Sequence, residues 1–226
     1  LDVILAKIYL PSAAAGQYAL ISLVGKTVFF LGSVFSQFIT PVVSRAEGAK
    51  TNPRRVFYQL LAVSTFSSLS GFLLFGVFGS YTAPFLFGSK VYPVLGFLLP
   101  YSLAMVVFGV ASNIVNYHQI ERHYLFPVLG FAVAVIQLIM TASFHSNLST
   151  FVFLMLALGL IYLFLTVFTH LFYQQIVDVY RNFLDLLGLF AVWVNGKRPL
   201  PDAKLRILIF NWRDTKHVWA GGAEVY

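Results

Sequence analysis

The chain has 226 residues, 59% hydrophobic, 17% aromatic and only 10% charged, with a formal net charge of +7 and no cysteine. Soluble domains carry about 25% charged residues, so an ordinary soluble fold is excluded, in keeping with a mean hydropathy of +0.82. Without cysteine there are no disulfides, no thiol catalysis and no cysteine-based metal sites.

Residues 56–89, 91–120 and 124–177 contain no Asp, Glu, Lys or Arg, and 8–44 contains only Lys26. A bilayer-spanning helix needs ~20 apolar residues, so these runs predict an all-α transmembrane helical bundle of about six spans over residues 1–176. The first span is read as truncated, covering residues 1–10 up to Pro11. The others are expected near 17–42, 56–78, 92–116, 124–144 and 148–176. Residues 81–90, with Pro84 and Gly88, read as a loop or re-entrant turn. Pro100 should kink the fourth span, because it removes a backbone donor and crowds the preceding turn. Gly25, Gly32 and Ser36 on the second span and Ser64, Ser67, Ser68 and Gly71 on the third form rows of small residues, which let helix backbones approach closely in lipid.

The basic residues gather in alternate loops and not along one face, which excludes nucleic acid as a partner. Residues 44–55 hold Arg45, Lys50, Arg54 and Arg55, and the segment after the last span holds Arg181, Lys197, Arg198, Lys204 and Arg206. Between them lies the short, mixed Glu121-Arg122-His123 loop; the alternate loops 11–16 and 145–150 have no Lys or Arg. The positive-inside rule therefore predicts a multi-pass membrane protein with a cytoplasmic C-terminus, and the cell's inner (plasma) membrane is its expected location.

Lys26 is the leading candidate for a functional residue. It falls near mid-bilayer, where a lysine costs roughly 2.5–3.5 kcal/mol unless it meets water or a partner. Ser22, Lys26, Ser33, Gln37 and Thr40 recur at helical spacing and share one stripe, as expected of a cavity wall. An ammonium there suits an anionic ligand such as a lipid diphosphate. Two other roles stay open: a structural ion pair between Lys26 and Asp2 of the preceding helix, or snorkelling of Lys26 towards a headgroup. Asp2 is itself a candidate counter-ion or coupling-ion site. Asn113, Asn116 and His118 read as caps or helix contacts, Gln137 and Thr141 as helix–helix hydrogen bonds, and His145 and His170 as isolated, so no metal site is predicted.

Past the bundle, residues 177–204 combine an amphipathic interfacial helix with a stiff linker containing Gly196, Pro199 and Pro201. Arg206-Ile207-Leu208-Ile209-Phe210 is an apolar, β-branched run of the kind found in buried parallel strands. A polar loop and Gly221-Gly222 follow, then Ala223-Glu224-Val225-Tyr226 as a first helical turn. Residues 205–226 are thus expected to open an α/β Rossmann-like domain, a geometry that receives phosphate at a helix N-terminus.

Leu1-Asp2-Val3-Ile4-Leu5-Ala6-Lys7, Ala15-Gly16-Gln17-Tyr18, Gly25-Lys26 and Thr40-Pro41-Val42-Val43-Ser44 resemble, in order, the start of the second half of polysaccharide flippases of the multidrug/oligosaccharidyl-lipid/polysaccharide exporter superfamily. Arg206-Ile207-Leu208-Ile209-Phe210-Asn211-Trp212-Arg213-Asp214 and the later Gly-Gly-Ala-Glu resemble the N-terminal start of family 4 glycosyltransferases of the GT-B fold. The first resemblance implies a flippase translocating a lipid-diphosphate-linked oligosaccharide for cell-surface polysaccharide biosynthesis, with Lys26, Ser22, Ser33, Gln37 and Asp2 lining its cavity. The second implies a fused cytoplasmic glycosyltransferase whose nucleotide-sugar donor lies near Gly221 and Gly222. The donor-binding domain with its acidic residues is missing, so no catalytic residue and no bound cofactor are assigned within these 226 residues. Expected partners are the bilayer, the lipid-linked oligosaccharide, and a polysaccharide polymerase or other glycosyltransferases. Two alternatives are a glycosyltransferase whose helices serve only as an anchor, and a drug/cation antiporter of the same superfamily.

Overall fold

The computed structural model describes residues 2–49 and 51–195, which are helical with no strand among them. By backbone contacts the chain divides into two units, Leu1–Ile176 and Val177–Tyr226. The first contains helices α1 (Asp2–Tyr9), α2 (Ser12–Ser36), α3 (Ile39–Gly48), α4 (Pro53–Phe72), α5 (Gly79–Phe87), α6 (Leu95–Ile120), α7 (Leu125–Ser143) and α8 (Leu148–Leu171). Helix α9 (Tyr173–Asn195) begins in the first unit and makes up the described part of the second.

Five stretches are long and apolar enough to cross a membrane: Ser12–Gly48, Pro53–Val77, Ser89–Ile120, Leu125–Ser143 and Leu148–Leu171. Helices suit this setting because each satisfies its own backbone donors and acceptors where no water can. Large apolar side chains such as Phe66, Phe85 and Phe131 point outward, the pattern of surfaces that meet lipid.

Helix α6 is the centre of the bundle and packs against α2, α4 and α8. The small-residue rows read from the sequence meet across α2 and α4. A Cβ on Gly32 would stand 1.9 Å from Ser68 Oγ, and one on Gly71 would stand 3.4 Å from the Val28 Cα. The close approach also lets Ser64 Oγ donate to the Gly32 carbonyl and Ser67 Oγ to the Leu31 carbonyl, each at 2.9 Å. Local signals start two of the spans. Asn52 caps α4 by accepting from the Arg55 N–H at 3.1 Å, with Pro53 in the first turn, and Asn147 caps α8 through the Thr150 N–H at 2.8 Å.

Three expectations are refined. The second span begins at Ser12 and breaks at Gln37–Phe38 before α3, so it is two helices and not one. Residues 81–90, expected as a loop or re-entrant turn, are largely α5, which Gly88 ends at a φ of 70°, followed by a 3-10 turn, Ser89–Val94. The third span closes in a π turn, Leu73–Val77, where the Phe78 N–H reaches back five residues to Leu73. Thr82 Oγ1 donates to the Leu74 carbonyl at 2.6 Å, satisfying backbone that the wider turn leaves over. The main helix of the fourth span continues through Pro100.

Residues 178–195, expected as an amphipathic helix, are helical and make up most of α9, with Val179, Tyr180, Phe183, Leu184 and Leu187 exposed. The strand expected at 205–210 and the Gly221-Gly222 loop lie outside the described residues.

Candidate functional site in the helical bundle

Lys26 is the fifteenth residue of the 25-residue α2, and its side chain reaches Asp2 on α1. Lys26 Nζ donates to Asp2 Oδ1 at 2.9 Å. The other carboxylate oxygen, Oδ2, accepts from the Tyr101 hydroxyl of α6 at 2.6 Å and from Tyr18 of α2 at 3.2 Å. Ser22 Oγ stands 3.4 Å from Oδ2 and 3.2 Å from the Tyr101 oxygen. Each hydroxyl has one proton to give. The short contact takes that of Tyr101, so Ser22 is left to donate to Tyr101 or to the carboxylate. One half-buried carboxylate on α1 thus collects an ammonium and phenolic donors from α2 and α6, as a charge in low dielectric requires.

Gly25 makes this convergence possible. A Cβ there would fall 2.2 Å from Tyr101 Cδ1, so only glycine lets the Tyr101 ring lie against α2 and reach Asp2. Tyr18 then packs edge-on against both Tyr101 and Phe151.

The ion pair forms part of the wall of a cavity of about 330 Å³ between α2, α6, α7 and α8. The Lys26 side chain keeps 35% of its exposure there and Asp2 13%. Most of the remaining lining is apolar, with Phe29, Phe30, Phe108 and Tyr162 among it, and Gln137 adds an amide that donates to Met155 Sδ at 3.3 Å. Pairing and cavity exposure, alternatives in the sequence, therefore occur together at Lys26.

The polar stripe of α2 is not continuous along that wall. Ser33 belongs to a second, smaller cavity of about 60 Å³ with Gly32, Ser36, Ser64, Ser68 and Asn113, and Phe29 touches both cavities. There Asn113 Nδ2 donates to Ser64 Oγ at 2.8 Å, continuing the bond from Ser64 to Gly32. Gln37 and Thr40 are exposed, beyond the end of α2. The structure brings Asp2, Ser22 and Lys26 together, places Ser33 about two turns away along the helix, and leaves Gln37 apart.

Nothing in the local sequence pattern marks Tyr18 and Tyr101 as partners of Asp2. Their phenols look like core or interfacial aromatics, and Tyr101 lies far along the chain in another span. Nor is His170 isolated: its Nδ1 lies 2.6 Å from His118 Nε2 and its Nε2 2.8 Å from the Tyr58 hydroxyl.

Five helices able to span a bilayer, with a charged pair on the wall of an internal cavity, fit a multi-pass helical membrane protein. No protein-family model matches the chain, and no significant match is found among curated proteins or among solved structures.

Proposed function

We propose that the bundle is the second half of a flippase that carries a lipid-diphosphate-linked oligosaccharide from the inner to the outer leaflet for cell-surface polysaccharide biosynthesis. The observation that carries this reading is the Lys26 ammonium on the wall of an intramembrane cavity, paired with a carboxylate that has other donors. A diphosphate entering the cavity would compete with Asp2 for Lys26. Unit charges ~4 Å apart attract by ~4 kcal/mol at an effective dielectric of ~20, enough to hold a headgroup reversibly. Asp2 would keep the Tyr101 and Tyr18 hydroxyls while the ammonium moved, so the exchange strands no buried charge. The aromatic lining would take the first part of the lipid chain. The resemblance of residues 205–226 supports a cytoplasmic glycosyltransferase fused behind the bundle, at the inner face of the plasma membrane.

Lys26→Ala in the full-length protein is expected to abolish surface glycan while leaving glycosyltransferase activity on a lipid acceptor intact. Normal glycan export by that variant would remove Lys26 from the mechanism and the proposal with it.

A second reading, export of apolar cations, is favoured by the Asp2 carboxylate beside an aromatic-lined cavity. It requires the opposite pattern: efflux of a lipophilic cation lost in Asp2→Asn and kept in Lys26→Ala.

A further inference from the structure

A second cluster of titratable groups lies at the end of the bundle where α4 begins and α6 and α8 end. Helix α6 closes with the Arg122 N–H donating to the Gln119 carbonyl at 3.1 Å and the His123 N–H to the His118 carbonyl at 2.8 Å. This paired closure needs a left-handed residue after the helix, ordinarily glycine. Here it is Arg122 at a φ of 59°, the one non-glycine residue with positive φ among the described residues. A side-chain-bearing residue held there is strained, and such strain concentrates at functional sites.

The closure brings His118 and His123 face to face, at positions where an apolar contact is usual. Their Nδ1 atoms lie 2.9 Å apart, and Glu121 Oε2 stands 3.6 Å from the first and 3.4 Å from the second. A tetrahedral ion bound through nitrogen and oxygen at ~2.0–2.2 Å holds its ligand atoms ~3.3–3.6 Å apart. The two edges to Glu121 Oε2 match that spacing, and the Nδ1–Nδ1 edge at 2.9 Å need open by only ~0.4 Å to complete one face of such a sphere, with the fourth vertex left for water or another ligand.

The surroundings hold each ligand in place. His118 stacks on Phe126 at 3.6 Å, its plane 5° from parallel, and His123 stacks on Tyr173 at 4.0 Å. The Tyr117 hydroxyl donates to Glu121 Oε1, leaving Oε2 to the histidines. One set of tautomers satisfies the contacts behind them. His118 donates from Nε2 to His170 Nδ1, and His170 donates from Nε2 to the Tyr58 oxygen. His118 Nδ1 is then an acceptor that takes the Nδ1–H of His123 at 2.9 Å, and a bound ion would replace that proton, with His123 protonated on Nε2 instead. The donor bond behind His118 is the arrangement that orients a metal-bound imidazole. His118 is buried, whereas His123 and Glu121 keep side-chain exposures of 26% and 37%, which gives an ion a way in.

We propose that His118, Glu121 and His123 bind a divalent transition-metal ion of the zinc class. Two imidazoles and one carboxylate favour such an ion over magnesium or calcium, which prefer all-oxygen shells. The bound ion would lock the α6–α7 turn and, through His170 and Tyr58, tie α8 and α4 to it.

The test is titration of the purified, tag-free, chelator-treated chain in detergent with Zn²⁺ by calorimetry, and with Co²⁺ by visible absorption. Expected are one ion per chain, a tetrahedral Co²⁺ spectrum, and no response to Mg²⁺ or Ca²⁺. His123→Ala and Glu121→Gln should each weaken binding by ~10-fold or more, and His170→Ala by ~10–100-fold, because it only orients His118. His145→Ala, exposed in another loop, should bind as the parent does. Absence of saturable Zn²⁺ binding by the parent chain, or unchanged binding in both His123→Ala and Glu121→Gln, would overturn the proposal and leave a hydrogen-bonded helix cap.

Discussion

Lys26 and Asp2 anchor the polar interior of the bundle, and each is placed by its neighbours as much as by its partner. Their 2.9 Å contact is neither fully dry nor freely solvated, so breaking it should cost roughly 1–3 kcal/mol, between the limits for surface and buried pairs. Asp2→Asn and Lys26→Met are each expected to lower the thermal unfolding midpoint in detergent. The double variant should lie at least ~1 kcal/mol above the sum of the two losses, because it leaves no charge without its partner. Strict additivity would show that the two side chains do not stabilise one another. Lys26 stood out in the sequence because a charge within an apolar run is costly, and Asp2 was visible as its possible counter-ion. The phenols of Tyr18 and Tyr101 were not, since nothing in local pattern distinguishes an aromatic that packs from one that also donates.

Between helices, packing is decided by residues that are nearly absent. At Gly32 a methyl group would overlap Ser68 Oγ and come within 3.2 Å of the Ser64 carbonyl, so α2 and α4 can touch only while that position stays bare. Gly32→Ala is expected to destabilise by ~1–3 kcal/mol through overpacking. Adding Ser68→Gly should recover at least half of that, read as thermal midpoints in detergent. No recovery would mean that the two rows do not interdigitate as described. These rows were legible, because small residues at spacings of three and four are unusual among bulky neighbours. The π turn at Leu73–Val77 and the break at Gln37–Phe38 were not. At the π turn a carbonyl is satisfied by a group outside its own helix turn, as Thr82 does for Leu74, and the break carries no proline or glycine to announce it.

Across the bundle, the five membrane-length stretches place the segment after Gly48 and the Glu121–Tyr124 turn at one end and the His145–Asn147 turn at the other. Contacts at both ends agree with that alternation. Tyr9, at the end of α1, stacks on His145, while Tyr58, near the start of α4, meets His170 at the end of α8. With no native cysteine, single cysteines report side cleanly. Ser146→Cys should react with a membrane-impermeant maleimide on intact cells, and Gly48→Cys only after permeabilisation. Equal labelling of both on intact cells would contradict the orientation expected from the basic loops.

What the sequence determined by itself was the class of structure, the apolar segments, five of them of membrane length, and the identity of the intramembrane lysine. Those follow from length, hydropathy and charge, properties that each segment carries locally. What only the tertiary structure decided was which residues meet. Tyr101 with Asp2, and His170 with His118, are joined by helices that pass side by side, and a contact between distant segments leaves no trace in the periodicity of either. The His118–His123 pair lies between these cases. Its spacing is local, but the left-handed turn at Arg122 that closes it is carried by arginine where glycine would have announced it.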